Sequence, residues 1–154
     1  MLELGCWPGG WLQVLRETVG PRGHVAGVDT EQIEPLEGVR FLRLDFTEPD
    51  AAGRIAAELG GPVAALLSDA APKLTGIRDV DRGAEEELWD AALRTALLVL
   101  RPGGTLIVKG FPGEEANAFR RQLKSRFGRV AEVRPEGKRS TSKEFYWVAS
   151  PYVP

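Results

Sequence analysis

The 154 residues are 43% apolar, carry one cysteine and have a formal charge of −2. That suits one domain, residues 1–154, with its own core, and it excludes a disulfide-stapled scaffold or a uniformly basic nucleic-acid binder. No apolar run reaches the ~18 residues that cross a bilayer and no cleavable leader opens the chain, so a cytoplasmic protein without membrane contact is expected.

Short apolar or β-branched runs alternate with longer helical patterns, which is how an α/β sheet reads. Strands are expected at Leu2–Leu4, Val25–Asp29, Val39–Arg43, Val63–Ser68, Thr105–Lys109, Val130–Val133 and Phe145–Ala149. Helices are expected at Gly10–Val19, Pro49–Leu59, Asp81–Leu100 and Glu114–Phe127. The third helix repeats Leu88, Ala92, Leu93, Ala96, Leu97 and Leu100 along one face, and Arg101-Pro102-Gly103-Gly104 ends it. Pro72–Val80 and Gly110–Gly113 read as loops after strand C-termini, the edge where open α/β sheets bind ligands. The architecture is therefore a Rossmann-like α/β fold: a mostly parallel seven-stranded sheet, its last strand antiparallel, with helices on both faces.

The first strand runs into Gly5-Cys6-Trp7-Pro8-Gly9-Gly10-Trp11 and then a helix. Glycine lets backbone approach a ligand closely, so this is a nucleotide-type loop. Its Gly5-x-x-x-Gly9-Gly10 spacing lacks the second glycine of the dinucleotide fingerprint, and Pro8 removes a backbone donor. That disfavours a pyrophosphate and suits a ligand without phosphate, such as S-adenosyl-L-methionine. Asp29, about 20 residues past the loop, stands where an acid meets ribose hydroxyls. Asp45, just after the third strand, is placed to accept from an adenine amine.

Three charges end or open apolar runs: Asp69 after Val63–Ser68, Lys109 after Thr105–Val108, and Glu144 before Phe145–Ala149. If the last strand is antiparallel, all three meet at one sheet edge. Each alone is an ordinary surface charge; together, beside a cofactor loop, they make a site for moving a proton. An amine accepts a proton only when neutral. Neighbouring carboxylates favour its charged form and burial its neutral form, so base and orienting roles for Lys109 both stay open. Nine Lys or Arg lie between Arg120 and Lys143 against Glu132 and Glu136. That block fits either a phosphate grip or a solvated helix face with a basic loop.

The bland readings cover the rest. His24 is the only histidine, so neither a His-based metal cluster nor a Ser-His-Asp triad is available, and no metal is expected. Cys6 reads as a small packing residue, Trp89 and Trp147 as core, and Glu85-Glu86-Glu87 as the acidic start of a helix.

The chain resembles the FtsJ-type ribosomal RNA ribose 2′-O-methyltransferases from Met1 to about Ala149. The matching segments are Leu4–Trp11, Ser68–Gly76, Leu100–Gly104, Val108–Phe111 and Arg139-Ser140-Thr141-Ser142-Lys143-Glu144, in the family's order. The resemblance implies methylation of a ribose 2′-hydroxyl, a uridine of large-subunit ribosomal RNA, by a monomer using S-adenosyl-L-methionine. It implies cofactor contacts from Gly5, Pro8, Gly9, Gly10, Trp11, Asp29, Asp45 and Asp69. It also makes Asp69, Lys109 and Glu144 the last three members of a Lys-Asp-Lys-Glu tetrad. The family's first lysine lies in a helix upstream of the first strand, so a missing N-terminal helix is expected here. Trp7 stands where the family has a small residue and is expected to narrow the methionine end of the pocket. The alternatives are a non-catalytic RNA- or cofactor-binding remnant, or a methyltransferase for a non-RNA acceptor.

Overall fold

A computed structural model of the chain describes residues 1–135 and 144–154. Its strands are β1 (Leu2–Leu4), β2 (Val25–Asp29), β3 (Val39–Arg43), β4 (Val63–Ser68), β5 (Leu100–Gly110), β6 (Phe127–Val133) and β7 (Phe145–Tyr152). The described helices are α1 (Gly10–Val19), α2 (Ala51–Leu59), α3 (Arg78–Val99) and α4 (Glu114–Lys124). The sheet order is β3-β2-β1-β4-β5-β7-β6. β7 runs antiparallel to both neighbours, and the other pairings are parallel. The expected seven-stranded mixed sheet is therefore the one observed.

Element boundaries moved where tertiary pairing overrode local signals. β5 begins at Leu100 rather than Thr105, because Leu100 pairs with Val63 before the register shifts. Arg101–Gly104 bulges between those two pairings, with Gly103 at φ 78° taking the left-handed turn. α3 starts at Arg78, three residues earlier than the apolar stripe announces, and Asp79 and Asp81 sit in its first turn. α4 stops at Lys124, and Phe127 opens β6 because it pairs with Tyr152.

Leu2 and Leu4 pack on one face of the sheet with Ile55 of α2, Trp89 of α3 and Phe119 of α4. Alternation then turns Glu3 to the other face, where Leu12 and Leu15 of α1 pack with Cys6, Val25, Ile33 and Leu67. The densest aromatic packing surrounds Trp147. Its ring lies edge-on to Trp89 and Phe145 at 5.0 and 4.8 Å and tilted against Phe119 at 5.1 Å. No helix among the described residues is long and apolar enough to cross a membrane.

Truncating Trp147 empties the meeting point of α3, α4 and β7. Trp147→Ala is expected to destabilise the fold by about 3–5 kcal/mol, read as a lowered denaturant midpoint in a urea titration followed by circular dichroism.

Candidate functional site

The site is assembled by strand register. Leu4 is level with Val28 on one side and Ser68 on the other, so Gly5, Asp29 and Asp69 leave the sheet together. Ser68 is level with Val108, which brings Asp69 beside Lys109. Lys109 in turn faces Tyr146 across the antiparallel pair, and Glu144 precedes the last rung at Phe145. All three residues of the expected triad thus reach one edge.

Their contacts are specific. Lys109 Nζ, on a side chain only 11% exposed, donates to the Asp69 backbone oxygen at 2.9 Å and lies 3.0 Å from Asp69 Oδ1. Tyr146 Oη donates to the same Oδ1 at 2.5 Å. Burial, that hydrogen bond and the nearby charges of Asp69 and Glu144 push the Tyr146 phenol well above its ordinary range, so it stays a donor. Asp69 is thereby fixed from two sides. Nothing in the strand pattern pointed to Tyr146 as the second of those holds; spacing two residues past Glu144 on one strand was the available signal.

A cavity of about 400 Å³ adjoins this edge, lined by Gly5, Trp7, Asp29, Asp45, Asp69 and Lys73 among others. Asp29 accepts the Trp7 amide on Oδ2 at 2.8 Å and the Glu31 amide on Oδ1 at 2.9 Å. Asp45 Oδ1 accepts the amide and hydroxyl of Thr47 at 2.9 and 2.6 Å. Gly5 is obligatory: its φ is +73°, and an added Cβ would stand 2.7 Å from Ala70 Cβ. Pro8, Gly9 and Gly10 form the turn into α1 and do not line the cavity. Trp11 does not line it either; its ring packs against Tyr146 at 5.6 Å.

Glu3 was invisible as a functional candidate because it sits inside an apolar strand. It is 2% exposed, and its Oε2 is buried without a hydrogen-bond partner among the described residues. Burial first, then the charges of Asp69 and Asp29, push its carboxyl up to about 8. The cavity wall therefore presents Asp29, Glu31, Asp45 and Asp69 against Lys73, with a fifth carboxyl beneath. Such a set of acceptors repels a polyphosphate and suits a cationic ligand with hydroxyls and an amine. S-adenosyl-L-methionine has all three.

Among the described residues, the basic block is spread along the sheet. Phe127 pairs with Tyr152 and Val133 with Tyr146, so Arg129 lies toward the edge remote from Lys109 and Arg134 toward the near one. Arg120 is occupied by Glu132 at 3.7 Å. Lys138, Arg139 and Lys143, with most of the last family segment, lie outside the described residues. A larger cavity of about 660 Å³ opens at the opposite edge, near His24, Arg40 and Arg101, away from the glycine loop, Asp69 and Lys109.

The sequence model of the FtsJ-like methyltransferase family matches residues 1–152. Among curated relatives, the chain is 46% identical over 146 residues to ribosomal RNA large subunit methyltransferase E of Methanothrix thermoacetophila, covering 95% of this chain. It spans only 56% of that relative's length. The same-named protein of Methanothermobacter thermautotrophicus is 39% identical over 150 residues, covering 96% of this chain and 71% of the relative. Among solved structures, a Plasmodium falciparum protein described as a ribosomal RNA methyltransferase superposes with a TM-score of 0.86 at 26% identity, covering 98% of this chain and 85% of that one. Human methyltransferase-like protein 13, solved with SAH, gives 0.67 at 15% identity, covering 97% of this chain and 70% of that one, which speaks to the fold alone.

Glu3 makes the free protein's stability fall with rising pH. Its folded form holds the proton more tightly than the unfolded chain, so the benefit is complete below the ordinary glutamate value, about 4.3, and is lost as pH rises through about 8. Glu3→Gln should flatten that slope: equal melting to the parent near the acid end, and a Tm raised on the order of a few degrees above pH 8, by differential scanning calorimetry.

Proposed function

The chain belongs to the FtsJ-like methyltransferase family, and on that premise we propose that it methylates a ribose 2′-hydroxyl of large-subunit ribosomal RNA, at a uridine, using S-adenosyl-L-methionine. The observation that carries the reading is the contact of Lys109 with Asp69, a carboxylate that also lines an acidic cavity. A cofactor pocket beside a lysine–carboxylate pair can seat a methyl donor and hold the acceptor hydroxyl while its proton leaves.

When bound, the cofactor supplies an electrophilic methyl on a sulfonium, already activated. The protein's work is alignment and handling of one proton, and alignment alone supplies on the order of 7–11 kcal/mol. Asp29 and Asp45 would hold the ribose hydroxyls and the adenine amine, and Asp69 the amino end. Lys109 Nζ donates to the Asp69 backbone oxygen and lies in ion-pair range of Asp69 Oδ1. That placement supports a role in orienting the 2′-hydroxyl and stabilising the charge developing on it. Glu144 closes the same edge and supplies the second carboxylate of the site.

The triad comes from one chain, so the site needs no second copy, which supports a monomeric enzyme. A ribosomal RNA substrate supports a cytoplasmic setting.

The test is transfer of labelled methyl from S-adenosyl-L-methionine to ribosomal RNA and to isolated large subunits. Label is expected in nucleotides that resist alkaline cleavage, as a methylated 2′-oxygen does. Lys109→Ala is expected to lower the transfer rate ~10²-fold or more with S-adenosylhomocysteine affinity nearly unchanged by calorimetry. Label on a base, or full transfer by the Lys109→Ala variant, would overturn the reading.

A further inference from the structure

Trp7 is out of keeping with a soluble surface. It is 59% exposed, yet it lines the cavity with Gly5, Asp29 and Thr30 rather than packing inside it. Its backbone is not loose. The Trp7 amide is tied to Asp29 Oδ2, and the preceding Gly5 is locked against Ala70. A fixed loop thus holds a large flat apolar ring at a cavity mouth, where leaving it wet forgoes the gain of covering it.

The sheet order says what covers it. Trp7 follows β1 and is bonded to the end of β2, while the acceptor-handling groups end or open β4, β5 and β7. The two loop tryptophans divide accordingly. Trp11 leans on Tyr146 beside Asp69, and Trp7 stands by Asp29 on the other flank. Trp7 and Phe46 are the aromatic residues in the cavity wall, and Phe46, 6% exposed, is already spent in the core. Trp7 is the ring with a face to give.

We propose that the Trp7 indole, expected from sequence to narrow the methionine end, is instead the surface against which the adenosine part of the bound methyl donor packs. This rests on the methyl-donor reading above and adds to it a contact made by this chain's own loop residue. The purine and ribose present a planar and a puckered apolar face, and base–aromatic stacking is insensitive to which base is offered. The indole also becomes buried on binding, so ligand and ring shield each other from water.

The probes are S-adenosylhomocysteine, adenosine and methionine, followed by calorimetry and tryptophan emission. Wild type is expected to bind S-adenosylhomocysteine, and adenosine alone, but not methionine, should change the emission. Trp7→Ala should weaken S-adenosylhomocysteine about ten-fold or more, while Trp7→Phe, which keeps a flat ring, should stay within about three-fold and lose the emission change. Both variants should melt with wild type, since the side chain is exposed. Wild-type affinity in Trp7→Ala, or an emission change caused by methionine instead of adenosine, overturns the assignment while leaving the cofactor reading intact. No binding of S-adenosylhomocysteine by wild type overturns both.

Discussion

The site depends on the register of β4 between β1 and β5. Ser68 is level with Leu4 on one side and with Val108 on the other. Asp69, the next residue, therefore leaves the sheet between the glycine loop and Lys109. One carboxylate serves two neighbourhoods: it lines the acidic cavity, and it anchors Lys109 and Tyr146. A one-residue slip of β4 would send every side chain of the strand to the opposite face and remove that shared residue from the edge. The buried Leu66 and Leu67 on opposite faces make such a slip expensive, so core packing guards the chemistry.

Charge is concentrated against the grain of ordinary stability. Glu3 is buried among Asp29 and Asp69 with an oxygen lacking any described partner, an arrangement that costs the free protein stability. Such a cost is intelligible at a place meant to receive a positive ligand, and is hard to explain as packing, since a leucine at that position would suit the strand. The same acidic lining accounts for a glycine loop that does not follow the spacing used for diphosphates. Backbone amides alone would draw phosphate; four carboxylates around them turn it away.

Much of this was readable from the chain because strand ends announce themselves. Asp69 and Lys109 each follow an unbroken apolar run, and that switch from buried to polar marks the edge of a sheet. Asp29 stood out by its spacing from the glycine loop and Asp45 by its place just after the third strand. Glu3 did not, because a lone acid between Leu2 and Leu4 looks like one more polar position of a half-buried strand; only three-dimensional neighbours show both faces to be covered. Tyr146, an aromatic inside an apolar run, carried no sign of its contact: it is buried, yet its hydroxyl reaches Asp69. The early start of β5 was hidden by Pro102-Gly103-Gly104, residues that normally announce a turn and here form a bulge within the strand. The basic stretch left a phosphate grip and a solvated helix face both open; among the described residues, a helix followed by a strand spreads its members along the sheet.

The position of β7 has a consequence for how the molecule is made. β5 and β6 are never neighbours: β7, which follows both in the chain, lies between them and pairs with each. A ribosome releases β6 before β7 exists, so β6 has no partner on the sheet and must wait in solution or be held by α4 alone. Insertion of Phe145–Tyr152 then closes the sheet, supplies Trp147 to the core and delivers Tyr146 to Asp69 in one step. Glycine loop, acid and lysine are all synthesised early, yet their arrangement is finished by a late, long-range pairing of the kind that limits folding rates. An incompletely translated chain carries every cavity-lining residue and lacks the strand that brings Tyr146 to Asp69 and Trp147 to the core.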